Sequence, residues 1–170
     1  MEHGLSTTPS HDPAMKTLIV YYTRTGNTKK IVDALQVRLA ADVEMIAEKG
    51  SRRGPLGWLR SGRQGASKAD VEIQPLGADP SSYGLVVLAS PVWAGNVSAP
   101  MRTFMKRHRD ALPEIAVFLT HDSPDVTKAF ADFDELLGRE PLARGEASSK
   151  IVQAGGYDQA VHEFIDKLRA

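Results

Sequence analysis

Short, continuously apolar segments alternate along this chain with amphipathic helical patterns, and that alternation leaves few folds open. The three clearest apolar segments are Lys16–Tyr22, Tyr83–Ser90 and Ile115–Thr120. Their apolar residues are consecutive, which indicates strands that are covered on both faces. The patterns that follow them repeat apolar residues three and four positions apart, as amphipathic helices do. The chain is therefore predicted to have an α/β fold, with a doubly wound parallel sheet and helices on both faces.

Weaker patterns supply the remaining elements. Two further strands are expected, and the second should lie at a sheet edge: Asp42–Ala47 and Leu142–Ala147. Four helices are expected. The first contains Ile31, Leu35 and Leu39, and the second contains Met101, Phe104, Met105 and His108. The third covers Val126–Leu137 and ends at Gly138, and the fourth covers Tyr157–Leu168. In the helix that contains Met101, the other positions carry Arg102, Lys106, Arg107 and Arg109.

Composition narrows the class of protein. Hydrophobic residues make up 42% of the 170 residues, which excludes a disordered chain. No apolar run approaches about 18 residues, so a bilayer-spanning protein is excluded and no membrane partner is expected. Cysteine is absent, which excludes thiolate catalysis and metal sites with cysteine ligands. Residues 1–14 are expected to be a polar tail without a secretory pattern, residues 15–170 a single domain, and the location cytoplasmic.

In such a sheet, ligands bind beyond the carboxyl ends of the strands, so three loops are of interest. The first has the sequence TRTGNT and contributes these candidate site residues: Thr23, Arg24, Thr25, Gly26, Asn27 and Thr28. A helix that starts here would present free N–H groups to an anion, and the hydroxyls and amide could add donors. The loop is neither a Walker loop nor a dinucleotide fingerprint. Two alternatives stay open: Thr25 or Asn27 could simply cap the helix, and Arg24 could be a solvated surface residue.

Two stretches resemble the flavodoxin family. LIVYYTRTGNTKKIVDAL is similar to the opening of flavodoxins, in which the T-x-T-G-N-T loop holds the 5′-phosphate of flavin mononucleotide (FMN). LVVLASPVWAGNVSAPMRTFM is similar to their third strand, flavin loop and third helix. With the last two strands, the resemblance covers about residues 16–168 and looks like the short-chain group. It implies a flavodoxin-like sheet of five parallel strands in the order 2-1-3-4-5, three α/β/α layers, and FMN as the cofactor.

The second loop would lie beside the flavin ring. Its candidate site residues are Ser90, Pro91, Val92, Trp93, Ala94, Gly95 and Asn96. We expect this loop to expose Trp93, and stacking of an indole on a flavin ring is favourable by roughly 0.5–1.5 kcal/mol beyond burial. The resemblance implies that Trp93 flanks the isoalloxazine while the nearby backbone reaches its polar edge. The alternative is an indole packed on the next helix with no ligand.

The third loop departs from the family. It contributes Thr120, His121 and Asp122, and no Tyr, Trp or Phe lies within residues 120–125. The missing aromatic puts a two-sided sandwich of the flavin in doubt. His121 could stack on the ring, donate to a flavin carbonyl, or cap the following helix with Asp122.

Charge is a second departure, because electron-shuttling flavodoxins tend to be strongly acidic. Here 21 Lys and Arg balance 21 Asp and Glu. Residues 49–69, read as a long crossover with a small helical piece, hold six basic residues and no acid. This stretch could dock an acidic partner or a nucleotide phosphate, or be only a solvated loop. Trp58 within it is expected to be half-buried.

These observations predict an FMN-binding, flavodoxin-like redox protein. It would be either an electron carrier serving a redox partner protein or small acceptor, or a small FMN-dependent reductase that oxidises NAD(P)H with a quinone-type acceptor. No catalytic acid, base or metal site is expected. The alternative is a flavodoxin-fold binding module that no longer holds flavin. Nucleic-acid contact through the basic crossover is disfavoured by the zero net charge.

Overall fold

A computed structural model describes residues 15–48 and 70–170. The predicted polar tail, the basic crossover and Trp58 lie outside the described residues. The predictions made for them therefore stay predictions.

Five parallel strands and one short antiparallel strand form the sheet. The strands are β1 (Thr17–Tyr21), β2 (Asp42–Met45), β3 (Leu85–Trp93), β4 (Asn96–Val97), β5 (Glu114–His121) and β6 (Arg144–Ser148). The parallel strands lie in the order β2-β1-β3-β5-β6, and β4 pairs only with the end of β3. Counting the parallel strands alone, this is the predicted 2-1-3-4-5 order. The register aligns Tyr21 with Ala89, and Ala89 with Phe118.

The helices cover both faces of this sheet. They are α1 (Asn27–Leu39), α2 (Ala99–His108), α3 (Thr127–Leu137), α4 (Ser149–Gln153) and α5 (Asp158–Arg169). Two short 3₁₀ turns, Pro80–Ser82 and Arg109–Ala111, precede β3 and β5. Gly138 ends α3 in the left-handed conformation, with φ 68°, as the sequence predicts.

Strand residues alternate between two buried cores. Leu18 and Val20 of β1 pack in the core that contains α2 and α3, whereas Ile19 and Tyr21 pack in the core with α1 and α5. Because both faces of each central strand are buried, the apolar runs in the sequence are continuous. Within the second core, Phe118 meets Phe164 edge to face at 5.3 Å between ring centroids. The three-layer α/β/α prediction is confirmed.

β6 lies at an edge of the sheet, as the sequence predicts. Among the described strands only β5 pairs with it, through the register that joins Phe118 to Gly145. The backbone carbonyl of Arg144 accepts a hydrogen bond from Lys167 Nζ at 3.1 Å. The strand begins at Arg144, two residues later than expected. The Leu142 N–H nevertheless donates to the Ile115 carbonyl of β5 at 2.7 Å, so the chain already runs beside β5 before the strand starts.

Two further elements differ from the prediction. Residues 91–100, expected to form one loop, instead complete β3, turn, form β4 and enter α2. The short helix α4 has no strong apolar pattern and was not expected. Among the described helices, none is both long and apolar enough to cross a bilayer.

Candidate functional site

The carboxyl ends of β1, β3, β5 and β6 surround a small polar cavity of about 50 Å³. The residues that line it are Thr23, Arg24, Thr25, Asn27, Thr28, Pro91, Val92, Trp93, Thr120, His121, Asp122 and Ser149. A water molecule needs roughly 10–15 Å³ of such space. The cavity therefore suits a small polar group such as a phosphate, and the rest of a larger ligand would lie at its mouth.

The loop between β1 and α1 leaves the start of this helix without a side-chain cap. Gly26 occupies the N-cap position with φ 94°, a conformation that glycine adopts without strain. The Thr23 hydroxyl accepts a hydrogen bond from the Gly26 N–H at 3.0 Å. Neither Thr25 nor Asn27 caps the helix, so the capping alternative is wrong. The first turn holds no acidic residue, and its partial positive charge lies beside the cavity.

Arg24 is the cation best placed to meet an anion in this cavity. It is partly buried and lines the cavity, and among the described residues it has no ion pair or hydrogen bond. The neighbouring Lys29 is already engaged, because its Nζ lies 2.7 Å from a carboxylate oxygen of Asp33. The hydrogen bond that Lys29 donates to the Asp33 carboxylate raises the pKa of Lys29 above its usual value.

A buried hydroxyl pair joins the first loop to the third. Thr28 and Thr120 are almost fully buried, and their Oγ1 atoms are 2.8 Å apart. Burial of a hydroxyl without a partner would be unfavourable, and each hydroxyl satisfies the other. The contact fixes the first turn of α1 against the end of β5, so the cavity has a rigid floor.

The sequence predicts an exposed Trp93, but the structure buries its side chain. Its side chain is 5% exposed and contacts Tyr22 edge to face, at 5.4 Å between ring centroids. The reason is that β3 continues through Pro91 and Trp93, so the indole enters the core beside α2 and α3. Trp93 still borders the cavity together with Pro91 and Val92.

The tip of the same hairpin is a tight turn. Ala94 and Gly95 both have positive φ, 48° and 75°, as the two central residues of a type I′ turn do. Ala94 is exposed, and its carbonyl accepts a hydrogen bond from Asn96 Nδ2 at 3.2 Å. Five of the predicted site residues do not line the cavity: Gly26, Ser90, Ala94, Gly95 and Asn96.

His121 is held by two contacts at the cavity wall. Its Nδ1 donates to the Ser123 carbonyl at 2.7 Å, since a carbonyl oxygen only accepts. Its Nε2 lies 3.5 Å from a carboxylate oxygen of Glu146 on β6. His121 and Asp122 do not cap α3. Asp125 accepts from the Thr127 N–H at 2.8 Å, and the hydrogen bonds from Thr127 lower the pKa of Asp125.

Ser149 is the lining residue that sequence analysis missed. It follows β6 directly and is 8% exposed. The parallel order implies that the end of β6 meets the same sheet edge as the ends of β1, β3 and β5. That rule, applied to the last strand as well, would have found Ser149.

A wider concavity lies elsewhere, between α1 and α5. It has a volume of about 640 Å³ and is lined by Arg38, Asp158, Gln159, His162, Ile165 and Arg169. It is shallow, and its Arg38–Asp158 pair is solvent-exposed. The strand-end cavity remains the better candidate, because it combines buried hydroxyls, a helix start and the cation of Arg24, which no described side chain pairs with. No group of three or more metal-ligating side chains occurs in the described ranges.

Comparison with solved structures agrees on the fold. A flavoprotein from Lactobacillus acidophilus, solved in complex with FMN, has a TM-score of 0.68 and 24% sequence identity, covering 83% of this chain and 98% of that chain. A WrbA-like flavodoxin from Agrobacterium tumefaciens has a TM-score of 0.56 and 12% identity, covering 91% and 99%. An NADH:FMN oxidoreductase in its apo form has a TM-score of 0.52 and 12% identity, covering 90% and 86%.

By sequence, no protein-family model and no curated protein matches this chain. The structural similarities establish that the chain has the flavodoxin-like fold. The resemblance seen in the two sequence stretches is thereby confirmed at the level of the fold.

Proposed function

We propose that this protein is a cytoplasmic FMN-binding redox protein. The observation that carries the proposal is the small cavity at the start of α1, which is lined by threonines and by Arg24, an arginine that has no ion pair or hydrogen bond within residues 15–48 and 70–170. Donors without protein acceptors, next to a helix N-terminus, favour an anion of phosphate size. The structural neighbour solved with FMN has the same fold, which supports FMN over other phosphate esters.

The residues present fit this cofactor. Thr23, Thr25 and Asn27 would donate to the phosphate, and Arg24 would neutralise part of its charge. The isoalloxazine would lie at the mouth of the cavity, between the β3–β4 hairpin and the loop after β5. There Pro91 and Val92 would cover apolar surface of the ring, while backbone groups of the two segments would reach its polar edge.

When bound, FMN supplies the redox chemistry, and the protein supplies binding, orientation and electrostatics. The described site holds no paired carboxylates or nucleophile–base pair, and electron transfer requires neither. His121 would be the ring-bearing side chain nearest the flavin from the third loop. Its imidazole is oriented by Ser123 and Glu146, so it would present a fixed edge to the cofactor.

The test is a titration of the purified protein with FMN and with riboflavin, which lacks the phosphate. We expect tight binding of FMN, weaker binding of riboflavin, and a yellow complex. In the variant Thr25→Ala/Asn27→Ala, FMN affinity should fall toward that of riboflavin, because two phosphate donors are lost, while riboflavin affinity is unchanged. A protein that binds neither flavin would contradict the proposal.

Two finer roles are separable by experiment. We propose an electron carrier for a redox partner protein or small acceptor as the first role, because the described residues of the site include no paired carboxylates and no nucleophile–base pair. A small reductase would oxidise NAD(P)H in the presence of a quinone, and the similarity to an NADH:FMN oxidoreductase favours testing it. Steady NAD(P)H oxidation with FMN and a quinone would support the reductase; its absence would support the carrier.

A binding module without flavin is the second candidate. The burial of Trp93 and the lack of an aromatic residue after β5 favour it, since both reduce the area available for stacking. Under this alternative, Thr25→Ala/Asn27→Ala would change only the stability of α1. The flavin titration therefore decides between the two functions.

A further inference from the structure

A buried ion pair contacts the β3–β4 hairpin, and neither of its residues lines the cavity. Arg102 of α2 and Asp132 of α3 are 2% and 4% exposed. The Arg102 Nη2 donates to Asp132 Oδ2 at 2.5 Å and the Nη1 donates to Oδ1 at 3.3 Å, a bidentate arrangement. The same Oδ2 accepts from the backbone N–H of Val97, at 3.0 Å.

The bond to Val97 connects the pair to the hairpin. Val97 is fully buried in β4, so its N–H needs an acceptor inside the protein. In the described part of the chain β4 has only β3 as a strand neighbour, and the Asp132 carboxylate accepts the N–H that a further strand could otherwise bind. A side chain of α3 thus completes the hydrogen bonding of the hairpin.

Two other contacts fix the same segment. The Ser90 and Ser98 hydroxyl oxygens, both fully buried, are 2.7 Å apart and tie the ends of the hairpin together. At the tip, Lys128 of α3 extends over Gly95, with its Cδ 3.6 Å from where a Cβ would lie. The hairpin is therefore held at its base by the two serines and along β4 by Asp132, and the Lys128 side chain lies beside its tip.

The Arg102–Asp132 pair is expected to contribute little net stability to the fold. Desolvation of two charges offsets much of their attraction, and apolar residues of similar size are often as stable. The Arg102 Nε is buried and has no hydrogen-bond partner among the described residues, which adds to this cost. Positioning of the hairpin explains the pair better than stability alone, because strained turns persist only where their surroundings fix them. Ala94, a non-glycine residue at φ 48°, is such a position.

We infer that Asp132 and Arg102 are positioning residues that hold the β3–β4 hairpin against the mouth of the cavity. The inference deepens the proposed function and rests on it in one respect. If FMN binds as proposed, these residues fix the segment that contacts the ring and leave the segment that contacts the phosphate unaffected.

The test replaces both charges by apolar side chains of similar volume, Arg102→Met/Asp132→Leu. The folded state should be kept, but the Val97 N–H loses its acceptor. In the flavin-free protein, we expect amide hydrogen exchange to accelerate at residues 94–97 and to stay unchanged in α1 and α5. Val161→Ala, which truncates a fully buried residue of α5 in the opposite core, is the matched control for lost stability.

Flavin affinity supplies the second measurement. The dissociation constants for FMN and for riboflavin should rise by the same factor, about tenfold, as for other residues that support a site from behind. Arg102→Lys keeps the charge but loses the bidentate fork, and should give a smaller rise of the same kind. This milder variant keeps the test valid if the double variant fails to fold.

Three outcomes would overturn the inference: unchanged exchange at the hairpin, a change equal to that of Val161→Ala, or an affinity loss confined to FMN. A wild-type protein that binds neither flavin would contradict the proposed function instead. In that case, the exchange measurement still decides whether the pair positions the hairpin.

Discussion

The two sides of the cavity are built in opposite ways. On the side of the β1–α1 loop, donors are left without protein acceptors: the start of α1 has no side-chain cap and Arg24 has no partner among the described residues. On the side of the β3–β4 hairpin, buried groups are satisfied internally, by Asp132, Ser98 and the core around Trp93. The first side is prepared for a charged ligand, and the second is a rigid wall.

This difference indicates that the two sides of the cavity contribute differently to ligand affinity and ligand orientation. Free donors give affinity to whatever anion enters, but they do not define its orientation. A wall that is fixed by buried contacts defines orientation with little affinity of its own. Changes on the hairpin side should therefore affect stability first, and changes on the loop side should affect ligand binding first.

The largest expected effect is on the hairpin side. Asp132→Ala leaves the Arg102 guanidinium buried without its counter-ion, which should lower the free energy of unfolding by about 3–5 kcal/mol. Urea denaturation followed by circular dichroism measures it. A loss below about 1 kcal/mol, the median for exposed pairs, would mean that the pair is not buried in solution.

Arg24→Ala tests the loop side. A charge-assisted hydrogen bond contributes about 1.5–3 kcal/mol, so FMN affinity should fall roughly ten- to a hundredfold. Riboflavin affinity and the unfolding free energy should be unchanged, because Arg24 makes no ion pair or hydrogen bond within the described residues. Fluorescence titration of both flavins measures the effect. An equal loss for both ligands would contradict a phosphate contact.

The Thr28–Thr120 contact joins the two sides of the cavity, and its loss should have a smaller effect on stability. Thr28→Val leaves the Thr120 hydroxyl buried without its partner, and should reduce the unfolding free energy by about 1–3 kcal/mol. Adding Thr120→Val should recover much of this loss, because two apolar groups of the same shape replace the pair. Denaturation of the single and double variants forms the cycle. Additive losses would show that the hydroxyls do not interact.

Ala94→Gly addresses the turn at the hairpin tip. The left-handed conformation costs an L-residue about 1–2 kcal/mol, and the greater freedom of an unfolded glycine offsets about 0.5–1 kcal/mol of the relief. We expect a rise in the unfolding free energy of at most about 1 kcal/mol, measured by thermal and urea denaturation. A loss of stability would mean that the turn is not strained in solution.

The smallest effect concerns pH. The pKa of Asp125 is lowered by hydrogen bonds from Thr127, so its ionised form favours the folded state. This contribution is present above the ordinary carboxyl pKa, and it is lost as the pH falls through the lowered folded value. Asp125→Asn should therefore flatten the acid side of the stability–pH curve, with Asp122→Asn as the control. Identical curves for Asp125→Asn and the wild type would contradict the assignment.

The alternation of strands and helices and the first loop could be predicted from the sequence, because both depend on local patterns. The order of the strands in the sheet followed from the family resemblance. The loop Thr23–Thr28 combines a strand end, a glycine turn and a helix start within a few residues, and all three occur as predicted. The continuous apolar strands reflect burial on both faces, so the three layers follow from them.

Long-range contacts decided what the sequence could not predict. Whether Trp93 is exposed depends on the continuation of β3 beside β5, where Pro91 pairs with Thr120. Arg102 stands among the non-apolar positions of α2, and only Asp132, thirty residues away, makes its burial possible. Ser149 reaches the cavity because β6 ends at the same edge of the sheet, so its position follows from the topology and not from a motif around it.

The lysine at the outer border of the sheet has a consequence for self-association. An open strand edge is a template onto which a foreign strand can add, and proteins often guard such edges with a charged side chain. The Lys167 ammonium donates a hydrogen bond to the Arg144 carbonyl on β6, so an incoming strand would first have to displace this group. Acetylation of this one amine would remove its charge, and with it the electrostatic part of this protection.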